Sequence, residues 1–207
     1  MSALDVAAFR DTPLERDPFD FLVVPGFVKR ENFTALHADF PKITRAGLFP
    51  LSELEFGPAF AGLIGELTSA EVEAAFSEKF GVKLEGRPLM ITVRGRCQKK
   101  DGRIHPDAQW KIVTALVYLN RNWKGEDGRL RVLRSRNLDD MVAEVAPEEG
   151  TLIAFRPSDR SFHGHKPFVG ERRYVMLNWV ADTKAMEREL ARHRLSARAK
   201  RLIPGLG

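Results

Sequence analysis

The spacing of apolar positions changes about 85 residues into the chain. Upstream it suits helices. Residues 29–40 place Phe33, Leu36, His37 and Phe40 on one helical face, and residues 68–80 give the clearest helix of the chain. There Val72, Phe76 and Phe80 recur every four residues, behind Thr68 and Glu71 at capping-box spacing. One strand interrupts this part, "FDFLVVPGFV" (19–28), stopped by Pro25 and Gly26. Downstream, short β-rich runs follow one another at 89–96, 111–120, 130–133, 150–155 and 172–180, divided by Gly, Pro, Asn or Asp. Such a series predicts an antiparallel barrel or sandwich. The expected class is α+β in a single domain spanning 1–207. A helical part fills about 1–85, a barrel core about 86–182, and a basic helix about 183–203.

Composition narrows the function classes. Cys97 is the single cysteine, which excludes an intrachain disulfide framework and a cysteine-rich zinc site. No apolar run is long enough for a membrane span, and the first residues lack the apolar stretch of a secretory signal. A cytoplasmic protein without a membrane partner is the expectation. The net charge of +5 lies wholly within residues 184–201, where seven Lys/Arg face two Glu. The rest of the chain is neutral, so nucleic acid is not an expected partner. The basic helix is read first as a solvated face, next as a homo-oligomer contact, and last as the seat of an acidic partner.

The candidate chemistry begins in "GRIHPDAQW" (102–110). In an extended segment, side chains two apart share a face, so His105 and Asp107 can grip one ion. Downstream, "SFHGH" (161–165) offers His163 and His165. Two histidines and one carboxylate make the facial triad of non-haem Fe(II) oxygenases, which leaves one face of the metal open. The pair Arg172–Arg173 follows, and a guanidinium fork matches a carboxylate bidentately. Tyr118 shares a strand face with Ile112, Thr114 and Leu116, which points it toward the barrel interior.

These motifs, in this order, resemble the Fe(II)/2-oxoglutarate-dependent dioxygenases of the prolyl-4-hydroxylase-like branch. The residues that carry the resemblance are "HPD" (105–107), "YLNRNW" (118–123), "DGRLRVL" (127–133), "SFHGH" (161–165) and "RYVMLNW" (173–179), within residues 89–180. Asp127–Gly128 departs from the double glycine that relatives carry before the short strand. The resemblance implies a double-stranded β-helix (jelly-roll) core with the N-terminal helices packed on it. It implies Fe(II) held by His105, Asp107 and His163, and 2-oxoglutarate held by Arg173 with help from Tyr118. It also implies O2 as oxidant, with ascorbate as an accessory reductant left open. His163 is preferred to His165 because it lies ten positions before Arg173, and Arg173 is preferred to Arg172 because it lies six before Trp179. The implied reaction is hydroxylation of an unactivated C–H with release of succinate, a prolyl residue being the leading substrate. A small metabolite or saccharide is the alternative, and so is a non-catalytic barrel that binds a peptide or small molecule.

Three side groups receive ordinary expectations. Lys111 is expected to be a solvated strand-end lysine, Cys97 a half-buried structural thiol, and Arg94 and Arg96 either surface residues or contacts to an acidic substrate.

Overall fold

The computed structural model describes residues 2–202, with side chains through residue 195. Ile203, at the end of the expected basic helix, lies outside the described residues. Four helices precede the main strands: α1 (Val6–Asp11), α2 (Phe33–Asp39), α3 (Pro58–Leu67) and α4 (Ala70–Phe80). Strands β1 (Phe21–Val24) and β2 (Phe49–Pro50) lie between them. The core strands are β3 (Leu89–Cys97), β4 (Lys111–Tyr118), β5 (Leu130–Leu133), β6 (Met141–Val145), β7 (Leu152–Phe155), β8 (His163–Gly164) and β9 (Gly170–Val180). Helix α5 (Thr183–Leu202) ends the described chain. None of the described helices is long and apolar enough to cross a membrane.

The strands form two antiparallel sheets, one of six in the order β1-β7-β4-β9-β3-β2 and one of three in the order β6-β5-β8. The six-stranded sheet is buried on both faces, and the alternation of its side chains sorts them. Val113, Ala115 and Val117 of β4, with Val175, Leu177 and Trp179 of β9, pack under the helices. Leu116 and Tyr118 of β4, with Tyr174 and Met176 of β9, point the other way, toward Leu130 and Val132 of the small sheet. The interior between the sheets therefore holds a second, smaller core, and the functional side chains open from it.

Two local details differ from the sequence reading. The N-cap of α4 is Ser69, whose hydroxyl accepts from Val72 N–H, whereas Thr68 caps the C-terminus of α3. Strand β6 escaped the pattern because its burial is graded rather than alternating, with Met141 exposed.

Candidate functional site

Three side chains from two distant segments converge at one end of the barrel interior. The backbones of His105 and His163 form an isolated antiparallel bridge, which lashes the loop before β4 to β8. Gly164 lets the two chains approach, since a Cβ there would sit 2.9 Å from Gly102 O and 3.1 Å from Ile104 Cα. One ligand atom from each of His105, Asp107 and His163 lies within 4.8 Å of the others.

The two imidazoles are oriented by the main chain. His105 Nδ1 is 2.8 Å from Arg103 O, and His163 Nδ1 is 2.9 Å from Ser161 O. A carbonyl only accepts, so each Nδ1 donates a proton to the main chain, and Nε2 is the nitrogen left to face a metal. Burial, the largest cause, pushes His163 down to about 4, so it is neutral at physiological pH despite the nearby Asp107 carboxylate. Burial alone would raise the Asp107 pKa. The Lys111 ammonium, first, and the Thr114 hydroxyl act against it, and the Asp107 carboxyl is held below its ordinary range. Thr114 Oγ1 lies 2.6 Å from Asp107 Oδ2 and 2.9 Å from Asn178 Oδ1. Its one proton goes to the carboxylate. Turning the Asn178 amide over would bring Nδ2, buried with no acceptor, onto the same hydroxyl oxygen. Two neutral nitrogens and one carboxylate, each braced from behind, suit a divalent iron.

Deeper in the same cavity lies an arginine, and it is Arg172 rather than the expected Arg173. Arg172 is buried. Its Nε donates to Gly128 O at 2.9 Å, and its Nη2 lies 3.2 Å from the Tyr118 hydroxyl. Arg173 points to the opposite face of β9, over the Phe40 ring and paired with Glu171 at 2.9 Å. The physical reason is strand parity. Arg173 shares its face with Val175, Leu177 and Trp179, which pack under the helices, so the six-residue spacing to Trp179 marks the wrong side. His163 precedes Arg172 by nine positions. Asp127–Gly128, where the sequence departs from the double glycine, supplies the carbonyl that orients the Arg172 guanidinium. Tyr118 is fully buried and its phenol is pushed up to about 12 by that burial, so it remains a neutral hydroxyl beside the arginine.

His165 also lines the cavity but takes no place in the triad. Its ring lies where a Cβ on Gly102 would stand, and burial together with Arg172 pushes its pKa down to about 4. Lys111 is not the solvated residue expected. Its side chain is 11% exposed and its Nζ lies 3.2 Å from Asp107 Oδ2. Arg94 is a cavity residue, bonded to Tyr174 Oη at 2.8 Å and to Asp101 at 2.6 Å, whereas Arg96 faces outward. Cys97 is buried rather than half-buried, 3.7 Å from the Arg94 guanidinium.

The remaining wall comes from α5. Glu189, Arg192 and His193 border a cavity of about 360 Å3 that also contains the triad and Arg172. The expectation of a solvated helix outside the site is corrected for this stretch. Its charge made it look like surface, and a low apolar content hides a helix whose Glu189, Arg192 and His193 border the cavity.

Residues 96–181 match the family model described as the 2OG-Fe(II) oxygenase superfamily. No curated protein matches the chain in sequence. Among solved structures, a Pseudomonas putida prolyl-4-hydroxylase is similar over 84% of this chain and 91% of its own, at 20% identity and a TM-score of 0.59. The viral collagen prolyl hydroxylase of Paramecium bursaria Chlorella virus-1, in complex with 2OG, is similar over 78% and 96%, at 15% identity and 0.52. HygX from Streptomyces hygroscopicus, with nickel and 2-oxoglutarate bound, is similar over 79% and 82%, at 15% identity and 0.54.

Proposed function

We infer that this chain is an Fe(II)- and 2-oxoglutarate-dependent dioxygenase that hydroxylates an unactivated C–H, as the match of residues 96–181 to the 2OG-Fe(II) oxygenase superfamily implies. The single observation that carries the reading is the coincidence of two constellations in one cavity. One is a His105–Asp107–His163 triad with both Nδ1 atoms held by main-chain carbonyls, and the other is a buried guanidinium–phenol pair, Arg172–Tyr118. A binding module has no use for an open-faced metal triad beside a carboxylate clamp.

His105, Asp107 and His163 would hold Fe(II), which with 2-oxoglutarate and O2 supplies the oxidising chemistry when bound. The chain's own residues set the conditions. Arg172, oriented by Gly128 O, receives the far carboxylate of 2-oxoglutarate, and the Tyr118 hydroxyl donates to the same group. Thr114 holds the Asp107 carboxylate in place. Leu116, Met176 and Phe155 line the cavity and keep water from the reacting centre. The substrate is a small or peptide-like molecule. Two of the similar structures are named as prolyl hydroxylases, which makes a proline ring the leading candidate here. The test is O2-dependent release of succinate from 2-oxoglutarate by the Fe(II)-loaded protein, assayed with peptide and amino-acid pools. Stoichiometric succinate that depends on both Fe(II) and the pool is expected. Its absence from every pool with metal bound argues for a binding role instead.

A further inference from the structure

We propose that the molecule hydroxylated in this cavity carries its own carboxylate, and that Lys111, with Arg192 of α5, receives it. The proposal rests on the dioxygenase reading above and narrows its substrate.

The first observation is a defect in β4. By alternation Lys111 belongs with Val113, Ala115 and Val117, whose side chains go under the helices. The register with β9 shifts between Lys111 and Val113, and this bulge turns Lys111 into the cavity. Bulges beside active sites commonly re-aim a side chain in this way. Pointing an ammonium into a largely enclosed space is costly unless a counter-charge meets it.

The second observation is that this counter-charge is borrowed. The ion pair of Lys111 is with Asp107, the carboxylate the metal requires. The other cavity charges are matched without it. Arg94 pairs with Asp101, and Arg192 pairs with Glu189. Arg172 is matched by the far carboxylate of 2-oxoglutarate. The divalent metal is matched by Asp107 and the near carboxylate of 2-oxoglutarate. The Lys and Arg side chains of the loaded cavity then keep one positive charge in excess, and Lys111 carries it.

The third observation is where the excess lies. The Lys111 Nζ sits 5.9 Å from the centre of the Trp110 ring, beside the stretch of α5 that carries Arg192 and His193. Arg192, whose side chain is 72% exposed, bonds Glu189 through Nη2, which leaves the other donors of its fork for a ligand at the cavity mouth. A substrate anion here would lie against the metal, under the helix. The cavity of about 360 Å3 is near the lower end of small-molecule sites, and 2-oxoglutarate takes part of it. What remains suits a compact acid, such as a free or N-acylated amino acid, better than a chain passing through.

The experiment uses the full chain, kept anaerobic and loaded with Fe(II) and 2-oxoglutarate. Loading is measured first, and failure to load counts against the dioxygenase reading rather than against the choice of substrate. Calorimetry then compares matched probes: L-proline with L-prolinamide, and N-acetyl-L-proline and N-acetyl-L-leucine with their amides. At least one acid is expected to bind roughly ten- to a hundredfold more tightly than its amide. At matched loading with metal and 2-oxoglutarate, Lys111→Met should erase that preference, and Arg192→Met should reduce it. The proposal is overturned if amides bind as well as acids, if no acid binds the loaded protein, or if Lys111→Met keeps the preference. Binding confined to longer prolyl peptides, with or without acidic side chains, also overturns it.

Discussion

The main chains of His105 and His163 donate to each other, His105 N–H to His163 O and His163 N–H to His105 O, both at 3.1 Å. This doubled bond makes the triad a property of two joined segments rather than of a loop alone. His105→Ala, Asp107→Ala and His163→Ala should each abolish tight Fe(II) binding and reduce turnover to background. His165→Ala should keep the metal. Thr114→Val, which removes the hydroxyl behind Asp107, should weaken metal affinity by roughly 10–100-fold without unfolding the protein. Anaerobic metal titration with parallel circular dichroism checks all five. Retention of iron by His163→Ala with loss in His165→Ala would reassign the ligand.

The arginines are expected to separate sharply. Arg172→Ala removes a buried cation facing the site and should weaken 2-oxoglutarate binding by roughly 3–5 kcal/mol. Tyr118→Phe removes one hydrogen bond to a charged group, worth roughly 1.5–3 kcal/mol. Arg173→Ala lies on the far face and should leave the 2-oxoglutarate requirement almost unchanged. The concentration of 2-oxoglutarate for half-maximal turnover in the three variants decides this, and equal losses from both arginines would contradict the assignment.

What the sequence could and could not show divides along physical lines. The metal motif was legible because its geometry is local: His105 and Asp107 share a face at i and i+2, and a histidine had to follow a later strand. The short runs at 89–96, 111–120, 130–133, 150–155 and 172–180 correspond to β3, β4, β5, β7 and β9. Arg172 was not legible, because two adjacent arginines can be told apart only once one face of β9 is known to be covered by helices. Lys111 was hidden by a bulge, since an alternation rule has no term for a register shift. The role of α5 was hidden by its composition. Helix α3 carries two glycines in "PAFAGLIGEL", which weaken its helical signal, although Pro58 opens it and Phe60, Leu63, Ile64 and Leu67 are buried.

Because α5 supplies part of the cavity wall, truncation after Thr183 should have a split outcome. The triad, Arg172 and Tyr118 all lie upstream, so Fe(II) and 2-oxoglutarate should still bind. Opening the cavity near Trp110 should admit water, raise the ratio of succinate formed to product hydroxylated, and lower the melting temperature. Unchanged coupling in a folded truncated protein would place α5 outside the site.

Acid should destabilise the metal-free protein earlier than its carboxylates alone would require. His163 and His165 are both pushed down to about 4 in the folded state, below the ordinary value of 6.5. The unfolded chain therefore binds more protons between these values. Their contribution to stability is fully present above pH 6.5 and is lost as the pH falls toward about 4. Thermal melts of apo protein across this range should show a falling midpoint, with a shallower fall in His165→Asn. A midpoint independent of pH over the interval would mean that neither imidazole is held neutral by burial.

The most direct test of the central claim is an anaerobic titration of 2-oxoglutarate into the Fe(II)-loaded protein, followed by the visible metal-to-ligand absorption of the complex. The site described here predicts a saturable absorption that is absent in Asp107→Ala, requires much more 2-oxoglutarate in Arg172→Ala, and titrates normally in Arg173→Ala. A protein that holds Fe(II) yet shows no absorption on adding 2-oxoglutarate, or one in which Arg173→Ala rather than Arg172→Ala abolishes it, would contradict the account.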